Sequence, residues 1–391
     1  MSCWSRWCVV FCIAGVVGLL VPLRMVDAET ITLSGSTSPG AYRWLDAANN
    51  AYASSFQSTF TYAESSVQIL YQDYSTVLAG SVTASNLKPN FTYQIKLSGN
   101  SDTADGLRIA QAGRYWQESW NGSAWANGTN LNYNKGDGTY PNLNDQEYLN
   151  TKDTTSSTSP TGKLYRYTGY LVMDYFTTDS NGSASFGFIA DNSYHVVWKT
   201  TQRTPQTDDG PLRTTTIDPS PSQAYDVNYP ASIVSVYGEW ERLPVNGVFL
   251  QPGEYSCSML LTEESFHGSG GTLGGYWATA MGADFDFTLI TVPGDADFNG
   301  RVDGADLALW RQHFDPLGLN DNTWSMGDWN HDGLINGEDL ALWQQHYNPN
   351  WNPESLPEPA TLLLVASGLL GLTARARAGR RIRNPVDRPT L

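Results

Sequence analysis

Disulfide chemistry is nearly excluded from this chain. It has four cysteines in 391 residues, and Cys3, Cys8 and Cys12 all fall within the first dozen positions. Those positions do not read as globular sequence. Arg6 precedes the apolar run Cys8 to Leu20, Pro22 follows, and Val26-Asp27-Ala28 fits a small-residue cleavage site. That order predicts a secretory signal peptide over 1–28. Its removal leaves only Cys257, so the expected mature chain must be stabilised by a packed core and bound metal. Basic residues are scarce as well, with 23 Lys and Arg against 39 Asp and Glu. Setting aside two Arg and one Asp in 1–28 and six Arg and one Asp in 360–391 leaves 15 basic against 37 acidic residues, a net charge of −22. Such a surface repels nucleic acid and anionic lipid and attracts divalent cations.

Helical periodicity of useful length is missing between residues 80 and 292. Short alternating segments stand in its place, among them Phe91 to Leu97, the face Tyr255, Cys257, Met259 and Leu261, and Ala283 to Leu289. The Asn181-Gly182 turn between Tyr165–Phe176 and Ala184–Ile189 predicts a hairpin. Tyr42 to Phe56 is a candidate short helix. The expectation for 29–292 is a mainly β, sandwich or jelly-roll-like region, with 29–100 and 101–292 as candidate subdomains. Pro293-Gly294 closes it, and a Pro/Asn linker is expected over 349–359.

Two segments between these boundaries repeat at an offset of 33 residues. Asp295, Asp297, Asn299, Asp303 and Asp306 occupy loop positions 1, 3, 5, 9 and 12 of the first; Asp328, Asn330, Asp332, Asn336 and Asp339 occupy them in the second. Gly300 and Gly333 stand at position 6, where a sharp turn aims the carbonyl of Arg301 or Leu334 at the centre. Calcium wants six to eight oxygens, and this spacing wraps them around one point, so two calcium ions are expected. Val302 and Ile335, at position 8, are candidates to pair across the loops. Each loop runs into the same sequence, Asp-Leu-Ala-Leu-Trp at 306–310 and 339–343, and eight of twelve positions match between 303–314 and 336–347. This is an internal duplication. His313, His331 and His346 are nitrogen donors that calcium does not require.

A good helix before each loop is absent, unlike a full EF-hand. Residues 294–348 resemble a type I dockerin, which implies a small two-helix domain, calcium-dependent folding and a cohesin-like protein partner. The chain departs from that pattern at loop positions 10 and 11, which are Gly304-Ala305 and Gly337-Glu338, and at Trp310 and Trp343. Those two tryptophans are candidates for a partner-binding face, or for capping the small core against the opposite loop. In the tail, Pro357-Glu358-Pro359 precedes the apolar run Ala360 to Ala374 and five arginines between 375 and 383. Fifteen residues give about 22 Å of helix, short for a full membrane span. Residues 357–383 resemble a PEP-CTERM signal, which implies exosortase processing and delivery to the cell surface of a Gram-negative bacterium, with a C-terminal membrane segment before processing. A plain membrane anchor is the alternative.

No zinc motif, phosphate loop or nucleophile elbow is present, and no catalytic residues are assigned. Glu239 with Glu241, and Glu263 and Glu264 with His267, are carboxylate groupings of the sort glycoside hydrolysis uses, though a solvated edge or loop anchor is the commoner reason for such pairs. Trp116, Trp120 and Trp125 are candidates for a sugar-stacking platform or for core packing. The segments Asn86 to Tyr93 and Thr262 to Gly271 resemble parts of uncharacterised extracellular β-domains, which implies no activity. The expected function is therefore a non-enzymatic surface protein that docks through calcium. The alternative is a polysaccharide-degrading enzyme, an O-glycosyl hydrolase, or a carbohydrate-binding protein.

Overall fold

The computed structural model describes residues 28–36, 42–131, 143–191, 194–199, 213–220, 223–240, 249–264 and 277–350. The signal segment, Glu241, His267, the linker beyond 350 and the tail lie outside them.

Strands β1 (Ala28–Gly35), β2 (Ser66–Gln72), β3 (Ala79–Ser85), β4 (Thr92–Gly99), β5 (Arg114–Trp120), β6 (Trp125–Leu131), β7 (Tyr165–Thr177), β8 (Ala184–Ile189), β12 (Gly253–Glu264) and β13 (Trp277–Leu289) form one antiparallel sheet. Its order is β6-β5-β7-β4-β12-β13-β1-β2-β3-β8. Strands β9 (Tyr194–Lys199), β10 (Arg213–Ile217) and β11 (Ser232–Trp240) make a separate three-stranded sheet in the order β10-β11-β9.

The large sheet changes partner along β1. Ala28 to Leu33 pair with β2, and the last two residues, Ser34 and Gly35, pair with β13. One strand thus joins two half-sheets, and both halves line a single core. Val67, Ile69 and Val82 come from one half; Ile95, Leu97, Leu171, Met259, Leu261 and Phe287 come from the other. Aromatic rings bridge the halves directly, Tyr71 against Phe285 with centroids 5.3 Å apart and Phe176 against Phe186 at 4.8 Å. The alternation read in 283–289 holds, with Phe285, Phe287 and Leu289 buried and Asp284 and Asp286 exposed. Tyr255, Cys257, Met259 and Leu261 are all buried on one face of β12. Burial pushes the Cys257 thiol far up, which keeps it as an unreactive apolar filler. Strand β4 lies between β7 and β12, so residues from 29–100 and 101–292 interleave in the same sheet.

Three expectations need correction. The Asn181-Gly182 turn forms, but β7 and β8 are not a hairpin, because β7 pairs with β4 and β5 while β8 pairs with β3. Both edges of β7 are already occupied, so the chain leaving it crosses to the other half-sheet. The helix expected over 42–56 starts only at Ser54, as α1 (Ser54–Thr59), because an Asp46-centred turn holds the chain before it. The stretch without helical periodicity between 80 and 292 nevertheless holds two helices, α2 (Ala104–Ala112) and α3 (Leu143–Thr151). The Thr103 side chain caps α2 by accepting from the Gly106 amide at 3.2 Å.

Beyond the sheet, α4 (Gly304–Gln312) and α5 (Gly337–His346) follow the two acidic loops.

Candidate metal centre

The two loops share their main hydrogen bonds across the 33-residue offset. The position-6 amides of Gly300 and Gly333 donate to the position-1 carboxylates of Asp295 and Asp328, at 2.8 and 3.1 Å. The position-7 amides of Arg301 and Leu334 donate to Asn299 Oδ1 and Asp332 Oδ1, at 2.7 and 2.8 Å. Asp306 Oδ1 accepts from the Ala296 amide at 2.8 Å, as Asp339 Oδ1 does from the Trp329 amide at 2.9 Å. Their second oxygens accept from the amides of Asp303 and Asn336, completing a capping box at the start of α4 and of α5. The backbone repeats too. Gly300 and Gly333 have φ of 78° and 80°, and the non-glycine residues at position 4, Phe298 and His331, have φ of 61° and 59°. A left-handed Phe or His costs roughly 1–2 kcal/mol, so the same strain at the same place in both copies marks a shape imposed by the loop as a whole.

In the first loop the carboxylates of Asp295, Asp297 and Asp306 offer oxygens all within 4.8 Å of one another. Asp295 and Asp306 are buried, and Asp295 Oδ1 has no hydrogen-bond donor. Burial, then the neighbouring charges of Asp306 and Asp297, pushes the Asp295 carboxyl up to about 8; burial pushes Asp306 up to about 7 and raises Asp297 as well. Three converging carboxylates with an orphaned buried oxygen form an oxygen-only donor set that fits a hard divalent cation. In the second loop Asp328 and Asp339 are buried while Asn330 and Asp332 are exposed, so its cradle is shallower.

The two units interlock around a pseudo-twofold axis. The Trp310 indole donates to the carbonyl of Asn336, position 9 of the second loop, at 3.0 Å; the Trp343 indole donates to the carbonyl of Asp303, position 9 of the first, at 2.8 Å. Gly327 and Gly294, with φ of 117° and 101°, precede the two loops, and an added Cβ on either would come within 3.0 Å of the Cα of Trp310 or Trp343. Both tryptophans are half-buried. Val302 and Ile335 are buried, but they do not bridge to each other. Val302 pairs with Asn348 and Ile335 with Asp315, each beyond the helix that follows the opposite loop.

Trp116, Trp120 and Trp125 share the outer face of the β5–β6 ladder, because Trp116 and Trp120 lie four residues apart and Trp125 is directly opposite Trp120. Trp116 is 38% exposed, the other two are half-buried, and Trp120 and Trp125 meet edge to face at 5.4 Å. Glu263 is neither a solvated edge nor open to substrate. It is fully buried in an ion pair with Lys88.

Residues 355–381 match the PEP-CTERM protein-sorting motif. The protein is secreted to the cell surface under a C-terminal sorting signal, and the motif implies processing by an exosortase. The matched range begins two residues before the Pro-Glu-Pro triplet and ends within the arginine cluster. No curated protein and no solved structure matches the chain. No helix among the described residues is long and apolar enough to cross a membrane.

Proposed function

We propose that this protein displays a β-domain outside the cell and attaches it to a protein partner through a dockerin-like module, residues 294–348, folded around two calcium ions. The observation that carries this reading is the match of the two loops in hydrogen bonds, backbone strain and reciprocal tryptophan contacts. Asp295, Asp297, Asn299, Asp303 and Asp306, with the Arg301 carbonyl, would hold one ion. Asp328, Asn330, Asp332, Asn336 and Asp339, with the Leu334 carbonyl, would hold the other. Calcium neutralises carboxylates that otherwise repel one another, and so couples binding to folding. The folded module then presents two related faces. Phe314 and Tyr347, 51% and 52% exposed at equivalent places, lie against Trp310 and Trp343 and supply aromatic anchors there. The test is surface capture of the full chain on an immobilised cohesin module. Binding that appears with calcium and disappears with chelator supports the reading; calcium-replete, folded protein that binds no cohesin removes the partner assignment.

A second reading rests on the outward-facing tryptophans of β5 and β6. Three aromatic faces on one ladder, with the Arg166–Glu118 pair at 2.6 Å beside them, suit stacking on an extracellular polysaccharide. A glycan array comparing the protein with its Trp116→Ala and Trp120→Ala variants tests it, and equal signals from all three would remove it.

A further inference from the structure

Among the described residues, a fully buried pair of reactive groups lies in the core, between two segments 175 residues apart in the chain. Lys88 stands in the turn before β4, and Glu263 stands near the end of β12. Both side chains are 0% exposed, and Lys88 Nζ lies 2.5 Å from Glu263 Oε1. Aromatic rings surround the ammonium, with Trp44, Phe91, Tyr42 and Tyr62 centroids at 4.4, 4.6, 5.2 and 5.8 Å. Nζ also donates to the Arg43 carbonyl at 2.7 Å. The carboxylate is held at both ends: Tyr62 donates its hydroxyl to Oε1, and the Arg43 amide donates to Oε2 at 2.9 Å. The Tyr62 hydroxyl is in turn 3.0 Å from that of Tyr93, which accepts from the Lys88 amide at 3.1 Å.

We propose that Lys88 and Glu263 condense into an intramolecular amide, a covalent staple between the turn before β4 and strand β12. The ammonium first passes a proton to the carboxylate, leaving a free amine and a carboxylic acid. The Nζ lone pair attacks Cδ, and the negative charge collects on Oε2, where the Arg43 amide stands as donor. Oε1 then departs as water, taking a second proton from Nζ through the Tyr62 hydroxyl. One C–O bond breaks, one C–N bond forms, and ammonium plus carboxylate become amide plus one water, with no oxidant or cofactor required.

Three features drive the condensation. Fixing amine and carbonyl in contact gives effective concentrations that reach roughly 10⁵–10⁸ M in well-oriented pairs. The dry aromatic surroundings penalise the ion pair and favour two neutral groups, or an amide, in its place. Burial also pushes the Lys88 ammonium down to about 8, toward the nucleophilic free amine. A chain with a single cysteine after signal removal has no disulfide to perform the same task.

Mass spectrometry of the denatured full chain decides the question. Folded protein should be one water lighter than its sequence, and a digest should contain a branched peptide joining the Lys88 segment to the Glu263 segment. Lys88→Met and Glu263→Ala should each restore the full linear mass. A folded chain at full linear mass, or a water loss that fragmentation places elsewhere, overturns the proposal. Both outcomes are read on the unsubstituted protein, so they stand even if the variants fail to fold.

Discussion

Replacing either clamp tryptophan should weaken calcium binding in the loop it does not belong to. Trp310 follows the first loop, yet its indole N–H satisfies the Asn336 carbonyl, at position 9 of the second loop and the N-cap of α5. Trp343 reaches back to Asp303 in the same way. Trp→Phe keeps most of the ring and deletes the donor. Both bonds are partly buried, at 3.0 and 2.8 Å, so each loss costs about 1 kcal/mol, which is roughly a fivefold loss of affinity. The Gly300 and Gly333 amides sit inside their own loops and report on them separately in a calcium titration followed by nuclear magnetic resonance. Trp310→Phe should shift the Gly333 transition to about fivefold higher calcium and leave Gly300 less affected; Trp343→Phe should do the reverse. If each variant weakens its own loop instead, or neither moves, the interlock has no energetic role and the reasoning from the two hydrogen bonds is wrong.

Other consequences can be checked alongside. Asp306→Ala removes the acceptor for the Ala296 and Asp303 amides and should cost about 3 kcal/mol in calcium-saturated urea unfolding; a cost below about 1 kcal/mol would mean that water replaces the carboxylate freely. Without calcium, Asp295 and Asp306 have folded values near 8 and 7, above the unfolded carboxyl range, so the folded loop binds more protons. Their contribution is therefore fully present below about pH 4 and is lost as pH rises through about 7 to 8. The calcium-free helical signal should fall across that window, saturating calcium should flatten the dependence, and calorimetry in buffers of different ionisation enthalpy should show proton release on binding near pH 7. Protein recovered from the native cell surface should lack residues 1–28 and the arginine-rich tail; an intact tail on released protein would contradict the sorting assignment.

The sequence was most legible where a local pattern controls the geometry. Phe285, Phe287 and Leu289 alternate because one face of β13 meets the core, and the loop spacing from Asp295 to Asp306 follows from wrapping oxygens around a point. It was least legible where distant segments decide the outcome. Asn181-Gly182 turns the chain as expected, but the partners of β7 and β8 are set by β4, β5 and β3, which no local signal names. Helix α2 has a readable start in Thr103, with Asp105 in its first turn, but its scattered Ala and Gly blur the apolar face that Ile109 and Ala110 bury. The Lys88–Glu263 pair was invisible as a pair. Each residue lay in a segment that stood out separately, and only the pairing of β4 with β12 brings them together.

Calcium stoichiometry tests the central claim most directly. Isothermal titration of the metal-stripped full chain should give two calcium ions per molecule. Asp295→Ala and Asp328→Ala should each reduce that to one, and the far-ultraviolet helical signal of α4 and α5 should rise as calcium is added. A stripped chain that takes up no calcium, or whose helical signal is the same with calcium and with chelator, would contradict the account.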